Sequence, residues 1–174
     1  MLRLLVPHIL VERVEELSPK RLRELGLDAL LLDVDCTLTR YRQAEIAPEV
    51  AAWLDELRAA GIGLCLVSNG NARRIRRFAE RLGLPYVGWA LKPLPWRCRS
   101  AASKVGSPRQ RTAMVGDQMF ADVLAGRLAG LQTVLVRPIH PEEEPWYTRL
   151  KRVPERWLLR RLPTSPSPSG RGPG

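Results

Sequence analysis

The stretch "LLLDVDCTLTRY" (residues 30–41) decides how this chain is read. Three leucines run straight into two aspartates one residue apart, and a threonine follows at position 37. A short continuous apolar run that ends abruptly in polar residues is the pattern of a strand buried on both faces, as in a parallel sheet. Like charges at the tip of such a strand repel, so the pair is either left to solvent at a strand edge or serves something positively charged. A strict strand would point Asp33 and Asp35 to opposite faces. If the chain leaves the strand at Val34, both reach one ligand.

Working outward from this run, comparable β-rich stretches recur as "IGLCLVS" (62–68), "TAMVG" (112–116) and "QTVLV" (132–136), with a shorter "YVG" (86–88). Helix-period segments alternate with them. "PEVAAWLDELRAAG" (48–61) opens on proline and closes on Gly61, "NARRIRRFAERLG" (71–83) closes on Gly83, and "FADVLAGRLAG" (120–130) closes on Gly130. Strands alternating with helices predict an α/β fold: a doubly wound, Rossmann-like parallel sheet with helices on both faces.

Length and composition bound the possibilities. At 174 residues the chain makes one compact domain, and no apolar run is long enough to span a bilayer. "MLRLLVPHILVERVEEL" is interrupted by Pro7, soon becomes charged and lacks a small-residue cleavage site, so it reads as part of the folded protein rather than a signal peptide. Residues 1–27 are therefore expected to pack on a core formed by 28–145. Residues 146–162 alternate tryptophans with arginines, and the Pro/Ser/Gly-rich residues 163–174 are expected to be disordered. Cys36, Cys65 and Cys98 are odd in number and scattered, which supports neither a disulfide framework nor a zinc site and fits a reducing cytoplasm. The net charge of +10 favours polyanions, whether nucleic acid or an anionic membrane.

Ligands of doubly wound sheets bind at the carboxyl ends of the strands. There the sequence places Asp33, Asp35 and Thr37, then Ser68 and Asn69, then Asp117 and Asp122 in "GDQMFAD", with Lys92 in "ALKP". Carboxylates, a hydroxyl and an amine on one rim suit phosphoryl transfer with magnesium, a hard ion that takes carboxylate, water and phosphate oxygens. Asp33 and Asp117 can supply such carboxylates, and a carboxylate can also attack phosphorus as a nucleophile. Each residue has a plainer role available. Asp35 and Thr37 can be turn residues, Ser68 a helix N-cap, Asp122 a carboxylate on a helix face, and Lys92 a solvated lysine.

At "DVDCT", "VSNG", "LKP" and "GDQMFAD", in that order, the chain resembles the haloacid dehalogenase superfamily of phosphohydrolases. The resemblance implies Asp33 as nucleophile and Asp35 as general acid and base. It implies Thr37, Ser68, Asn69 and Lys92 as the phosphate-binding set, and Mg²⁺ held through Asp33, Asp35 and Asp117. Asp122 and Arg74 would be supporting residues. The gaps from Thr37 to Ser68 and from Ser68 to Lys92 are too short for the cap domain many members insert, so an open, capless site is expected. "SNGNARRIRRF", "TVLVRPI" and "WYTRLKRVPERWLLRRL" further resemble the YqeG-type group related to phosphatidylglycerophosphate phosphatase. The chain departs from that group's usual asparagine at Gly70 and threonine at Ala121. This implies a phosphate-ester substrate, a lipid headgroup at an anionic membrane surface, and a cytoplasmic protein, peripheral at the inner face of the membrane. The alternatives are another phosphorylated substrate (a nucleic-acid end, a phosphoprotein or a sugar phosphate) or a catalytically idle basic module that binds nucleic acid.

Overall fold

The structure is a computed structural model that describes residues 2–143 and Trp146. Its centre is a six-stranded, all-parallel sheet of β1 (Ile9–Val11), β2 (Ala29–Leu32), β3 (Gly63–Val67), β4 (Tyr86–Val87), β5 (Thr112–Gly116) and β6 (Gln132–Val136). The strands lie in the order β1-β6-β5-β2-β3-β4. Among residues 2–143 five α-helices accompany them: α1 (Pro19–Glu24), α2 (Pro48–Ala59), α3 (Ala72–Leu82), α4 (Trp96–Lys104) and α5 (Leu124–Ala129). The Rossmann-like fold expected from the alternating pattern is the fold observed.

Because β2 is central, both of its faces are covered and all four of its residues are buried. Leu31 aligns with Cys65 on β3 and with Met114 on β5. Leu30 and Leu32, with Leu64, Leu66 and Val115, face a layer built from α2, α3 and the N-terminal segment, including Val50, Trp53, Leu57, Ile75, Val14 and Leu17. Leu31, Cys65 and Met114 face a thinner layer, where α4 offers Cys98, Ala101 and Ala102 and α5 offers Ala125 and Ala129. Each fully buried leucine contributes about 1.5–3 kcal/mol, so the sheet itself is the main store of apolar stabilisation.

Local signals set the helix ends. Pro48 opens α2, the Asn71 side chain caps α3 by accepting from the Arg73 amide at 2.9 Å, and Gly83 closes α3 in the left-handed conformation with φ 62°. Three elements carry no strong sequence signal. β1 is a three-residue edge strand next to charged residues, and α1 has only six residues. α4 buries cysteine and alanines instead of a row of large apolar side chains. The N-terminal segment is tied down further by Trp53, whose indole Nε1 donates to the Leu17 carbonyl at 3.0 Å. Apart from an exposed Trp146, the expectations for residues 146–162 and 163–174 lie outside the described residues. No helix among the described residues is long and apolar enough to cross a membrane.

The chain runs β2, β3, β4 outward along one half of the sheet, then returns through α4 to place β5 on the other side of β2. The strand order thus reverses at β2, which opens a crevice at the carboxyl ends of β2, β3 and β5. The α5 side of the sheet depends on close approach. A Cβ on Gly126 would lie 2.6 Å from Thr133 Cγ2 and 2.9 Å from Met114 Cβ. Gly126→Ala gains at most about 1 kcal/mol of helix propensity and meets an overpacking cost of about 1–3 kcal/mol. Urea denaturation should therefore find the variant less stable, although alanine is the better helix former.

Candidate active site

β2 ends at Leu32, yet the Asp33 amide still donates to the Val115 carbonyl of β5 at 2.9 Å. That bond fixes the Asp33 backbone at the carboxyl end of the central strand. Beyond it the chain turns sharply. The amides of Leu38 and Thr39 both donate to the Val34 carbonyl, at 3.0 and 3.3 Å, and Cys36 takes a left-handed φ of 62°. The chain thus leaves the strand at Val34, and Asp33 and Asp35 line the same cleft.

Lys92 is the hub of the buried site. Its Nζ lies 2.6 Å from Asp33 Oδ1 and 2.6 Å from Asp122 Oδ1, and it donates to the Val67 carbonyl at 2.9 Å. It is held there by Asn69, whose side chain accepts from the Lys92 amide at 2.8 Å and donates to the Lys92 carbonyl at 3.1 Å. Thr37 Oγ1 lies 3.4 Å from Asp33 Oδ2 and 3.2 Å from Asp117 Oδ1. The helical segment expected over 120–130 begins as a single wide π-type turn over Met119–Val123, and this turn aims Asp122 at Lys92. Gly116, at the end of β5, is what makes room, since a Cβ there would overlap the Asp122 carboxyl group.

Asp33, Asp117 and Asp122 are all buried, and each offers a ligand oxygen within 4.8 Å of the others. The residues expected at the metal are Asp33, Asp35 and Asp117, with Asp33 and Asp117 supplying carboxylates. Here Asp122 stands with Asp33 and Asp117, while the Asp35 carboxylate is ion-paired to Arg74 Nη2 and accepts from the Arg42 amide at 2.8 Å. Burial pushes the Asp33 carboxyl well above the ordinary carboxylate range; Lys92 opposes the rise, and Asp122 and Asp117 add to it. Burial by itself would lower the Lys92 ammonium, but Asp122 and Asp33 hold it above its usual value, so it stays charged. Three carboxylates against one ammonium leave excess negative charge in a dry site when all are ionised. A hard divalent cation fits that donor set.

Ser68 does not cap α3, since Asn71 does; its Oγ instead accepts from the Gly70 amide at 3.1 Å. The cleft has a volume of about 720 Å³ and also includes Tyr41, Arg42, Asn71, Trp89 and Gln118, which sequence reasoning did not single out. Trp89 stands three residues before the motif lysine, the one signal that could have found it. Gly70 and Ala121, the two departures from the YqeG-type pattern, both line the cleft as well. A Cβ at Gly70 would come 2.7 Å from Arg74 Nη2, so the glycine leaves space for the guanidinium that holds Asp35. Arg74 Nη1 is buried without a hydrogen-bond partner.

The family model for haloacid dehalogenase-like hydrolases matches residues 7–130. The chain belongs to that family. Within the haloacid dehalogenase-like hydrolases it is similar to the probable phosphatase YqeG of Bacillus subtilis, with 31% identity over 90% of this chain and 91% of that one. It is also similar to the chloroplastic/mitochondrial phosphatidylglycerophosphate phosphatase 1 of Arabidopsis thaliana, with 24% identity over 90% of this chain. There the match spans 47% of the longer plant protein. The fold matches that of the cobalt-bound deoxy-D-mannose-octulosonate 8-phosphate phosphatase of Haemophilus influenzae, with a TM-score of 0.53 at 18% identity over 78% of this chain and 89% of that one. The present chain is thus a haloacid dehalogenase-like phosphatase, and its described residues form no cap. Only a loop and α2 separate β2 from β3, and only α3 and β4 separate β3 from the loop that carries Lys92.

The raised Asp33 carboxyl has a consequence for stability. A carboxyl raised by the fold contributes stability below its unfolded value near 3.8, and that contribution is lost as pH rises through its folded value. Asp33→Asn removes this penalty and keeps the shape. In EDTA, urea unfolding at neutral pH should find Asp33→Asn more stable than wild type, with the difference shrinking as pH falls toward 4.

Proposed function

We propose that this chain is a magnesium-dependent phosphomonoesterase that works through an aspartyl phosphate on Asp33 and removes the terminal phosphate of phosphatidylglycerophosphate. The observation that carries the chemistry is the buried set of Asp33, Asp117 and Asp122 around one ammonium, opening on a cleft with no cap. The substrate assignment is supported by the likeness to phosphatidylglycerophosphate phosphatase 1 over 90% of this chain. An uncapped cleft also suits a phosphate presented by a surface better than one that must be enclosed.

In this reading Asp33 attacks phosphorus, forming an acyl phosphate bond as the ester oxygen departs. Asp35, in the same cleft, gives a proton to the leaving oxygen and later takes one from the water that cleaves the acyl phosphate. Thr37, Ser68, Asn69 and Lys92 are the phosphate-binding set. Lys92, already charged, offsets the negative charge on the phosphoryl oxygens, while Thr37 and Ser68 offer hydroxyl donors. Asn69 acts by gripping the Lys92 backbone. Bound magnesium would polarise the phosphoryl group and draw phosphate and carboxylate oxygens together. Asp33 and Asp117 would hold it, with Asp35 adding an oxygen from its loop and Asp122 supporting both Lys92 and the ion. Arg74, with one nitrogen on Asp35 and the other unpartnered, is set to receive a substrate phosphate oxygen.

Phosphate release from detergent-dispersed phosphatidylglycerophosphate, measured with and without magnesium, tests this reading. Turnover should require the ion, and Asp33→Asn or Asp117→Asn should each lower it by roughly three orders of magnitude or more. Near-wild-type turnover by Asp33→Asn would overturn the nucleophile assignment. Turnover of a soluble aryl phosphate, but none of the lipid, would overturn the substrate.

Trapping the intermediate gives a separate check. With magnesium present, beryllium trifluoride should bind wild type at Asp33 and raise the thermal midpoint. Because a carboxamide at that position cannot form the acyl-phosphate mimic, the rise should be absent in Asp33→Asn, as read by ¹⁹F NMR and differential scanning fluorimetry.

A further inference from the structure

Half of the large apolar side chains that stay exposed among the described residues fall within one short stretch, the loop after β4 and the first residue of α4. Trp89 is 54% exposed, Leu91 53%, Leu94 41% and Trp96 58%. They alternate with residues that point inward, for Ala90 is fully buried and Lys92 nearly so. The loop that delivers the site's ammonium therefore also holds one indole and two isobutyl groups out into solvent, with the Trp96 indole following at the start of α4, and Trp89 lines the cleft itself.

That exposure is built into the backbone. Trp89 and Leu91 have φ of 49° and 53°, a left-handed conformation that bulky residues seldom adopt and that persists only where surrounding contacts over-determine it. Those contacts are present. The Ala90 amide donates to the Ser68 carbonyl at 3.0 Å, Asn69 grips the Lys92 backbone on both sides, and the Leu94 amide donates to the Leu91 carbonyl at 2.9 Å. A loop free to relax would fold its apolar side chains against the protein. This one is pinned with them outward.

The surroundings indicate what covers them. Arg42 and Arg74 line the cleft, Arg73 is exposed at the start of α3, and Arg97 is exposed one residue beyond Trp96. Tryptophan and leucine beside arginine match the interfacial zone of a bilayer, where indoles sit at headgroup level and guanidinium groups meet anionic lipid. A chain with a net charge of +10 is drawn to such a surface before any apolar contact forms.

We propose that Trp89, Leu91, Leu94 and Trp96 form a docking surface that seats the enzyme on an anionic phospholipid bilayer, with the mouth of the cleft facing the headgroups. The inference rests on the lipid-phosphate reading above for its purpose, and on the exposed, pinned loop for its evidence. Docking supplies what a cap otherwise would, namely orientation of the substrate phosphate and partial exclusion of water.

The test uses the full chain and vesicles of phosphatidylglycerol and phosphatidylcholine that contain no phosphomonoester. Flotation measures binding for wild type and for a Leu94→Ser, Trp96→Ser double variant, neither of whose altered residues lines the cleft. Binding should fall by about tenfold or more, while turnover of a soluble aryl phosphate stays at the wild-type level. Acyl-brominated lipid should also quench the tryptophan fluorescence of bound protein in a Trp146→Phe, Trp157→Phe background, where Trp89 and Trp96 are the exposed indoles left, a measurement that decides the matter even if the double variant does not fold. Wild-type binding by a folded double variant, or unquenched fluorescence in that background, would overturn the proposal. So would a wild-type dimer that the substitutions dissociate, because the patch would then be a contact between copies. Vesicle docking without hydrolysis of phosphatidylglycerophosphate would remove only the substrate reading. Hydrolysis of the detergent-dispersed lipid without vesicle binding would remove only the docking.

Discussion

The site is organised around one buried ammonium. Lys92 Nζ stands 2.6 Å from both Asp33 and Asp122, with all three groups removed from water. Removing the ammonium would leave buried carboxylates unpaired in a low dielectric, at a cost of about 3–5 kcal/mol, whereas losing one of the three carboxylates leaves Lys92 still paired. An exposed pair such as Arg76 with Glu80 is worth well under that. Much of the local architecture answers to this cluster: Asn69 clamps the Lys92 backbone, Gly116 makes room for Asp122, and the wide turn at Met119–Val123 aims Asp122 inward.

The parallel sheet is what brings these groups together. Asp33 follows β2, Asp117 follows β5, and Lys92 comes from the loop after β4, so the site joins segments far apart in the chain. Because the strand order reverses at β2, neighbouring connections leave on opposite faces and the crevice between them stays open. The large apolar residues packed beneath it hold the strand ends in place, so the carboxylates need not be positioned by flexible side chains.

What lies above the crevice distinguishes this phosphatase within its fold. The connections that could carry a cap contain only α2, α3 and β4, and the cleft opens directly to its surroundings. Its walls mix arginine with Tyr41 and Trp89, and they include Gly70 and Ala121, where the chain differs from the YqeG-type pattern. Both positions line the cleft without belonging to the buried carboxylate cluster. The site thus has two layers: buried carboxylates and an ammonium at the strand ends and the loop after β4, and a more exposed rim built on loops.

The sequence by itself determined the parallel sheet and the candidate residues. Its central strands are continuous apolar runs, and each is followed by a polar residue whose type is conspicuous there: Asp33 after Leu32, Ser68 after Val67 and Asp117 after Gly116. β1 and α4 escaped notice because one is a three-residue edge beside charges and the other packs through Cys98, Ala101 and Ala102, whose small side chains give no helical stripe. Only the tertiary structure decided which carboxylate faces which cation. Asp35 and Asp122 have equal formal charge and similar motif standing, yet the turn after Val34 gives one to Arg74, and the space above Gly116 gives the other to Lys92. The exposure of Trp89, Leu91, Leu94 and Trp96 was equally hidden, since an apolar residue reads as core until the backbone turns it outward. Residue type records what a side chain can do, whereas burial and partner are set by distant segments that no local pattern encodes.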